Sequence, residues 1–537
     1  MNKYLVNWKN DLPAGMIVFF VALPLCLGIA LASGAPLFAG IIAGIVGGLV
    51  VGGISNSALG VSGPAAGLTV IVLNSIEQLN SFQAFLLAVV IAGILQILLG
   101  VIRAGIIAYY FPSSVIKGML SAIGIIIILK QIPHALGYDA DYEGDLSFAQ
   151  SDGENTFTEL LRMLDSITPG AILICLVAMG LLYIWEAHLA KKYRIFTIIQ
   201  GPLVVVVVGI IYQLVTSAYF PQLTLSPEHL VSVPVTTGLS DFLGHFTMPD
   251  FSMIANVEIW KIAATIAIVA SLETLLCVEA TDKLDPMKRN TNTNRELVAQ
   301  GAGNMVSGLI GGLPVTQVII RSSANIQSGG RTKTSTMFHG FLLLAFVMVI
   351  PGVLNLVPLS VLAAILFFVG YKLAKPQTFR QIYQLGWSQF LPFITTILGV
   401  VFTDLLIGIS LGMVVAVLVI LRNSYQNSHF LHLEHSNGSK KVKMTLAEEV
   451  VFLNKGSIMK ELNNLPEGST VTIDMSKSVH MDYDVYELIK DFRKTAEAKK
   501  IHVEMIGKSK YEMKEELDQP PNGGVNEPAR DEKVLQP

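Results

Sequence analysis

Charge is scarce in this chain: Asp, Glu, Lys and Arg make up 14% of its 537 residues. A soluble domain carries roughly a quarter, so a single water-soluble globule is excluded. The formal net charge of -3 says little about partners, and no nucleic-acid partner is expected. Cysteine is nearly missing. Cys26, Cys175 and Cys277 all lie in apolar runs without metal-ligand spacing, which excludes a disulfide framework and a zinc site. No ATP-binding loop of the form G-x-x-x-x-G-K-[ST] is present, which argues against a primary pump. Gly329-Gly330-Arg331-Thr332-Lys333 resembles such a loop only superficially and reads as a turn. No nucleophile–base pair or metal constellation appears, so neither an enzyme nor a cofactor is expected. The first apolar stretch, Leu12 to Ala32, lacks a cleavage pattern and is followed at once by Leu37 to Ile54. It is therefore expected to be a span and not a removed signal.

What is present is apolar: 52% of residues are hydrophobic and the mean hydropathy is +0.58. Several membrane spans are required. Apolar segments fall near residues 12–32, 37–54, 64–79, 83–101, 105–129, 169–186, 197–217, 258–280, 296–311, 314–325, 335–350, 353–371, 388–403 and 405–421, about fourteen in all. The third and the tenth are too short to cross a bilayer. Each opens on a proline-led break, Ser62-Gly63-Pro64-Ala65-Ala66-Gly67 and Gly311-Gly312-Leu313-Pro314-Val315-Thr316. Such breaks at membrane depth are tolerated where they line a cavity, and a matched pair in two halves of a transporter points to its binding site. Helix N-termini there favour an anion.

The basic residues test this count. Lys3, Lys9, Arg103, Lys191, Lys192, Arg194, Lys283, Lys288, Arg289, Arg295, Arg331, Lys333, Lys372, Lys375, Arg380 and Arg422 all fall on one side, which is expected to be cytoplasmic together with both termini. The connection after segment five carries Asp139, Asp141, Glu143, Asp145, Asp152 and Glu154, and the one after segment seven carries Asp241 and Asp250, so both are expected outside. An odd number of spans per half inverts one half against the other. The expected fold is an all-α polytopic membrane protein with a seven-plus-seven inverted repeat and half-helices at segments 3 and 10.

After Arg422 the apolar runs end. Residues 1–422 are expected to form the transmembrane domain, 423–440 a linker, 441–515 a small cytoplasmic α/β domain, and 516–537 a disordered tail. Candidate strands are Glu448–Val451 with Phe452, Thr470–Asp474 and His502–Ile506; candidate helices are Ser457–Asn463 and Asp484–Ala498. His429, His432 and His435 read as a solvated linker helix and not as a metal face.

Val21-Ala22-Leu23-Pro24, Ser62-Gly63-Pro64, Glu273-Thr274-Leu275-Leu276, Leu313-Pro314-Val315-Thr316 and Gly329-Gly330-Arg331-Thr332 together resemble the sulfate-permease (SulP) family of inorganic anion transporters. Ile473-Asp474-Met475-Ser476 and Met481-Asp482-Tyr483-Asp484 resemble the STAS domain that closes those proteins, a relative of anti-sigma-factor antagonists. The resemblance implies a homodimer in the inner (plasma) membrane. It also implies that a core (segments 1–4 and 8–11) moves against a gate (segments 5–7 and 12–14) to give alternating access. Two departures concern the site. Leu25 and Cys26 follow Pro24 where many relatives carry Gln, and Val318-Ile319-Ile320 replaces a Ser-rich run before Arg321. Asp484 stands where relatives carry a phosphorylatable Ser, and the domain's cytoplasmic partner is unknown.

The expected anion site therefore comprises Pro24, Leu25 and Cys26; Ser62, Gly63, Pro64, Ala65, Ala66 and Gly67; and Pro314, Val315, Thr316, Gln317 and Arg321. Glu273 lies nine residues before Asp282, about 14 Å deep at 1.5 Å per residue. An ionisable group at that depth is expected to couple transport to Na⁺ or H⁺, or to pair with Arg321. Cys277 shares its face, one turn on, and is a poor Na⁺ ligand. Glu279 reads as a salt-bridge former at the cytoplasmic edge. Two helix ends of about +0.5 each, Arg321 and an ionised Glu273 sum to about +1, which a monoanion balances. The expected function is secondary active transport of a small inorganic anion, bicarbonate first. A sulfate:proton symporter is the alternative, and an anion channel or a membrane-anchored STAS signalling protein are readings from other classes.

Overall fold

A computed structural model describes residues 7–139, 148, 155–163, 167–189, 192, 201–233, 244–349, 351–436, 439–507 and 511. Outside that set lie Lys3, Lys191, Arg194, Asp141, Glu143, Asp145, Asp152, Glu154, Asp241 and the tail from 516. The chain divides into two compact units, residues 1–416 and 417–537.

Every expected apolar segment contains a helix. In chain order these are α1 (Trp8–Ala32), α2 (Leu37–Val46), α3 (Thr69–Leu79), α4 (Phe82–Val101), α5 (Ser113–Leu136), α6 (Pro169–Ile184), α7 (Gly201–Tyr219), α8 (Val257–Leu284), α9 (Thr293–Ile310), α10 (Ile319–Gln327), α11 (Thr334–Val349), α12 (Leu359–Leu373), α13 (Trp387–Phe402) and α14 (Leu405–Gln426). Nine helices among the described residues are long and apolar enough to span a membrane. The fifth starts at Ser113 and not near 105. Pro112 carries no N–H and stands just ahead of the helix, and residues 104–110 form a tighter 3-10 turn.

Helix pairing reveals the inverted repeat. Helix α1 packs on α11 and on α10, and seven positions along, α8 packs on α4 and on α3. Where the segment that begins with α2 crosses α11, Gly48 meets Gly340; where α9 crosses α4, Gly301 meets Gly93. A Cβ at any of these four would strike the facing backbone. Helices α5 and α12, partners under the same exchange of halves, meet at Gly124 and Gly370. Small residues let helix backbones approach in lipid, where apolar burial drives no association.

The two breaks also meet. Ser62–Pro64 (β1) and Val315–Gln317 (β2) form an antiparallel pair in which Gly63 faces Thr316 and Pro64 faces Val315. The half-helices therefore begin later than the prolines suggest, at Thr69 after a 3-10 turn over Ala66–Leu68 and at Ile319. Extended backbone around each proline is used for strand pairing before the helix can start.

In the second unit, His429–Ser436 (β3), Ser439–Leu446 (β4), Thr470–Asp474 (β6) and His502–Ile506 (β8) make a sheet ordered β3-β4-β6-β8. The first pair is antiparallel and the others are parallel. A smaller parallel pair joins Glu449–Val450 (β5) to His480–Met481 (β7). Helices α15 (Lys455–Asn463) and α16 (Tyr483–Ala496) cover a core with Met444, Ile458, Val471, Ile473, Val485 and Ile489. The stretch read as a linker with a His-bearing helix is thus a strand: every second residue from Phe430 alternates with His429, His432 or a charged neighbour only imperfectly, so neither period stands out in the sequence. Among the described residues no cluster of His, Cys, Asp and Glu can hold a metal.

Candidate anion site

Helix α9 builds the scaffold of the breaks. Glu296, Gln300 and Asn304 recur every four residues and so share one face. Asn304 Oδ1 accepts from Val315 N–H at 2.5 Å, and its Nδ2 donates to Val315 C=O at 3.0 Å. Gln300 Nε2 donates to Ser62 Oγ at 2.7 Å and to Glu296 Oε1 at 3.0 Å. Helix α8 adds the next contacts. Gln317 N–H donates to Thr274 Oγ1 at 3.3 Å, and Gln317 Nε2 donates to Thr281 Oγ1 at 3.0 Å. The backbone N–H groups of Val315 and Gln317 are therefore already used by the protein.

The same helix faces both half-helix ends. Gly67, entering α3, lies close to the Glu273 carboxylate. Ile319, opening α10, lies beside Cys277. Residues four apart on α8 thus face the first turns of two helices from opposite halves of the chain, whose leading N–H groups helix geometry leaves free.

Two ionisable groups stand without a counter-charge among the described residues. Glu273 is 4% exposed, and its Oε2 accepts no hydrogen bond. Arg321 is fully buried, and none of its three guanidinium nitrogens has a partner at hydrogen-bond geometry among the described residues. The two do not form an ion pair, nor does Arg321 with any other described residue. A buried ionic group without a partner costs several kcal/mol, so each marks a position where a ligand would be held. The Arg321 side chain runs past Gly63, with Cys26 of α1 and His339 of α11 beside it. A Cβ at Gly63 would overlap Nη1, and one at Gly67 would come within 3.1 Å of Glu273 Oε2. Glycine at both places makes room for charge.

Between these groups lies a cavity of about 60 Å³ lined by Leu25, Ile29, Ala66, Gly67, Ile123, Ile126, Glu273, Cys277, Val318, Ile319, Ile320, Arg321, Val400, Asp404 and Leu405. One water needs roughly 10–15 Å³ on this measure, so the space suits a few waters or one small oxyanion. Of the expected site residues, Leu25, Ala66, Gly67, Glu273, Cys277 and Arg321 line it. Ser62, Gly63, Pro64, Ala65, Pro314, Val315, Thr316 and Gln317 form the pinned crossing behind it, and Cys26 lies beside the guanidinium. Pro24 lines a different cavity, of about 220 Å³, with Asp139 and Glu228. Glu279 pairs with Lys283 at 3.3 Å.

The sequence reading missed Asp404, Gln300 and Asn304. Asp404 is the lone charged residue between 388 and 421, but its place between two apolar runs made it look like a loop residue. The stripe Glu296, Gln300 and Asn304, three residues spaced four apart, was visible as a polar face on an otherwise apolar segment.

Two short helices meeting end to end inside an inverted repeat, with a buried cation and a buried carboxylate at the junction, define a membrane transport protein for small anions. The profile of the sulfate permease family matches residues 8–396, and the chain belongs to that family of anion transporters. It is 25% identical over 489 residues to the putative sulfate transporter YvdB of Bacillus subtilis, covering 89% of this chain and 87% of the relative. It is 26% identical over 452 residues to the bicarbonate transporter BicA of Picosynechococcus, covering 82% and 75%. Its fold is similar to the transmembrane domain of a cyanobacterial BicA (TM-score 0.53, 24% identity, 77% of this chain and 98% of that one). It is also similar to the overall structure of SLC26A9 (TM-score 0.63, 17% identity, 94% and 85%).

Proposed function

We infer that the chain is a secondary active transporter of a small inorganic monoanion, bicarbonate first, that binds between the half-helix ends and is driven by Na⁺ or H⁺ through Glu273. The observation that carries this reading is that Arg321, whose guanidinium has no partner among the described residues, and Glu273, whose Oε2 accepts no hydrogen bond from them, line one small cavity. Arg321 and the ends of α3 and α10 favour the anion, and Glu273 supplies a group that binds a cation or a proton. The cavity also touches Ile123 and Ile126 of α5, Val400 of α13 and Leu405 of α14. Motion of a core (segments 1–4 and 8–11) against a gate (segments 5–7 and 12–14) would expose it to each side in turn. On this reading the protein is a homodimer in the inner membrane with both termini in the cytoplasm, and residues 441–515 are a STAS domain.

Sulfate is the second reading, favoured by the relatedness to YvdB. It carries one charge more than a site of about +1 balances, so Glu273 would have to be neutral or cation-paired during sulfate transport. Uptake of labelled bicarbonate and labelled sulfate into proteoliposomes, with an inward Na⁺ gradient and separately with a pH gradient, tests both. Bicarbonate accumulation is expected, lost in Glu273→Gln. Full cation-driven accumulation in that variant removes Glu273 from coupling, and accumulation of sulfate alone replaces the substrate.

A further inference from the structure

Helix α14 begins at a residue with no assigned role. Asp404 fills the turn between α13 and α14, and its Oδ1 accepts from Ile407 N–H at 2.8 Å, a helix cap. Capping accounts for one oxygen only. The half-buried carboxylate also lines the 60 Å³ cavity that Glu273 and Arg321 share, and no described residue donates a hydrogen bond to its Oδ2. It approaches from α13 and α14, whereas Glu273 and Arg321 come from α8 and α10. The charged or titratable groups that face it across the cavity are Glu273, Cys277 and Arg321; those from α1 and α5 are apolar.

We propose that Asp404 is the second carboxylate of the coupling-cation site, and that its charge makes cotransport of one monovalent cation obligatory. This rests on the reading of Glu273 as the coupling group. The argument is a charge balance. Helix ends of about +0.5 each, Arg321 and Glu273 sum to about +1, which a monoanion neutralises with no cation at all. Asp404 brings the sum to about zero, so a bound monoanion leaves about −1 in a cavity with room for only a few waters, and one cation restores neutrality. Anion and cation then enter together because either alone leaves uncompensated charge. Na⁺ and H⁺ satisfy the same balance. Because the two carboxylates stand on parts that move against each other, the cation holds the closed arrangement together.

Asp404→Asn is the informative variant. Asn caps a helix about as well as Asp, so α14 keeps its start while the charge is removed. Full-length wild type, Asp404→Asn, Asp404→Glu and Glu273→Gln are reconstituted and given labelled bicarbonate, with a Na⁺ gradient in one arm and a pH gradient in the other. Bicarbonate exchange with equal solutions on both sides is measured in parallel. In Asp404→Asn, cation-driven accumulation is expected to fall about tenfold or more and by a larger factor than exchange, with Asp404→Glu restoring it. The arm that drives the wild type identifies the cation. Wild-type accumulation in Asp404→Asn makes Asp404 a helix cap and overturns the proposal, as does an equal loss of exchange and accumulation. If Glu273→Gln alone accumulates normally, it is the Glu273 reading that fails.

Discussion

Two missing β-carbons decide whether charge fits at the crossing of the breaks. Arg321 needs the space over Gly63 and Glu273 the space over Gly67, and neither glycine has the positive φ that usually explains its use. Close approach is the reason. Gly63→Ala should therefore displace the guanidinium and weaken anion binding by about tenfold. Equilibrium binding of bicarbonate to purified protein checks this, and unchanged affinity would place the anion away from Arg321. Residues of this kind were legible where they broke a pattern: Glu273 and Arg321 interrupt apolar runs, and a charge there calls for an explanation. Asp404 broke no pattern, because a carboxylate between two spans is what a loop supplies.

Elements were legible in proportion to their length. Fourteen apolar segments were placed because each repeats one preference over many residues. The strands β1 and β2 have three residues each, too few for any period, and only the fold brings them together across more than 250 residues of chain. Hairpin β3–β4 was lost for another reason: His, Lys and Glu fill much of it, and polar strands resemble linkers. Short-range polar contacts were equally hidden. Asp139, just past α5, accepts from His134 Nδ1 at 2.5 Å and from His229 Nδ1 at 2.6 Å. Burial alone would raise the Asp139 carboxyl, but the two histidine hydrogen bonds outweigh it and hold it below its ordinary value near 3.8. The bond to Asp139 raises His229 above 6.5, against partial burial. The stability His229 contributes is therefore complete below about pH 6.5 and is lost as pH rises through the raised value, while that of Asp139 is lost only on acidification below about 3.8. His229→Asn should lower the thermal unfolding temperature in detergent more at about pH 6 than at about pH 9. Equal losses at both would show that the ring acts through packing alone.

On the scale of the whole molecule, everything that lines the cavity belongs to the first unit, residues 1–416. Transport should accordingly survive removal of residues 428–537, with bicarbonate uptake per inserted protein within a few-fold of the full chain. A chain whose membrane part served only as a receptor for a signalling domain would transport nothing in either form. The second unit has its own core and its own electrostatics: hydrogen bonds from Ser476, then Lys443, hold Asp474 down at about 2.

Strand pair β1–β2, fastened again at Val315 by Asn304, ties the two half-helices into one piece. A machine geared in this way has a fixed ratio. If α3 and α10 could swivel separately, the part carrying Gly67 and the part carrying Arg321 would reach either face of the membrane at different moments, and an ion would slip across alone. Loosening the tooth at Asn304 should therefore show itself first as leak, with the downhill flux of one ion no longer accompanied by the other.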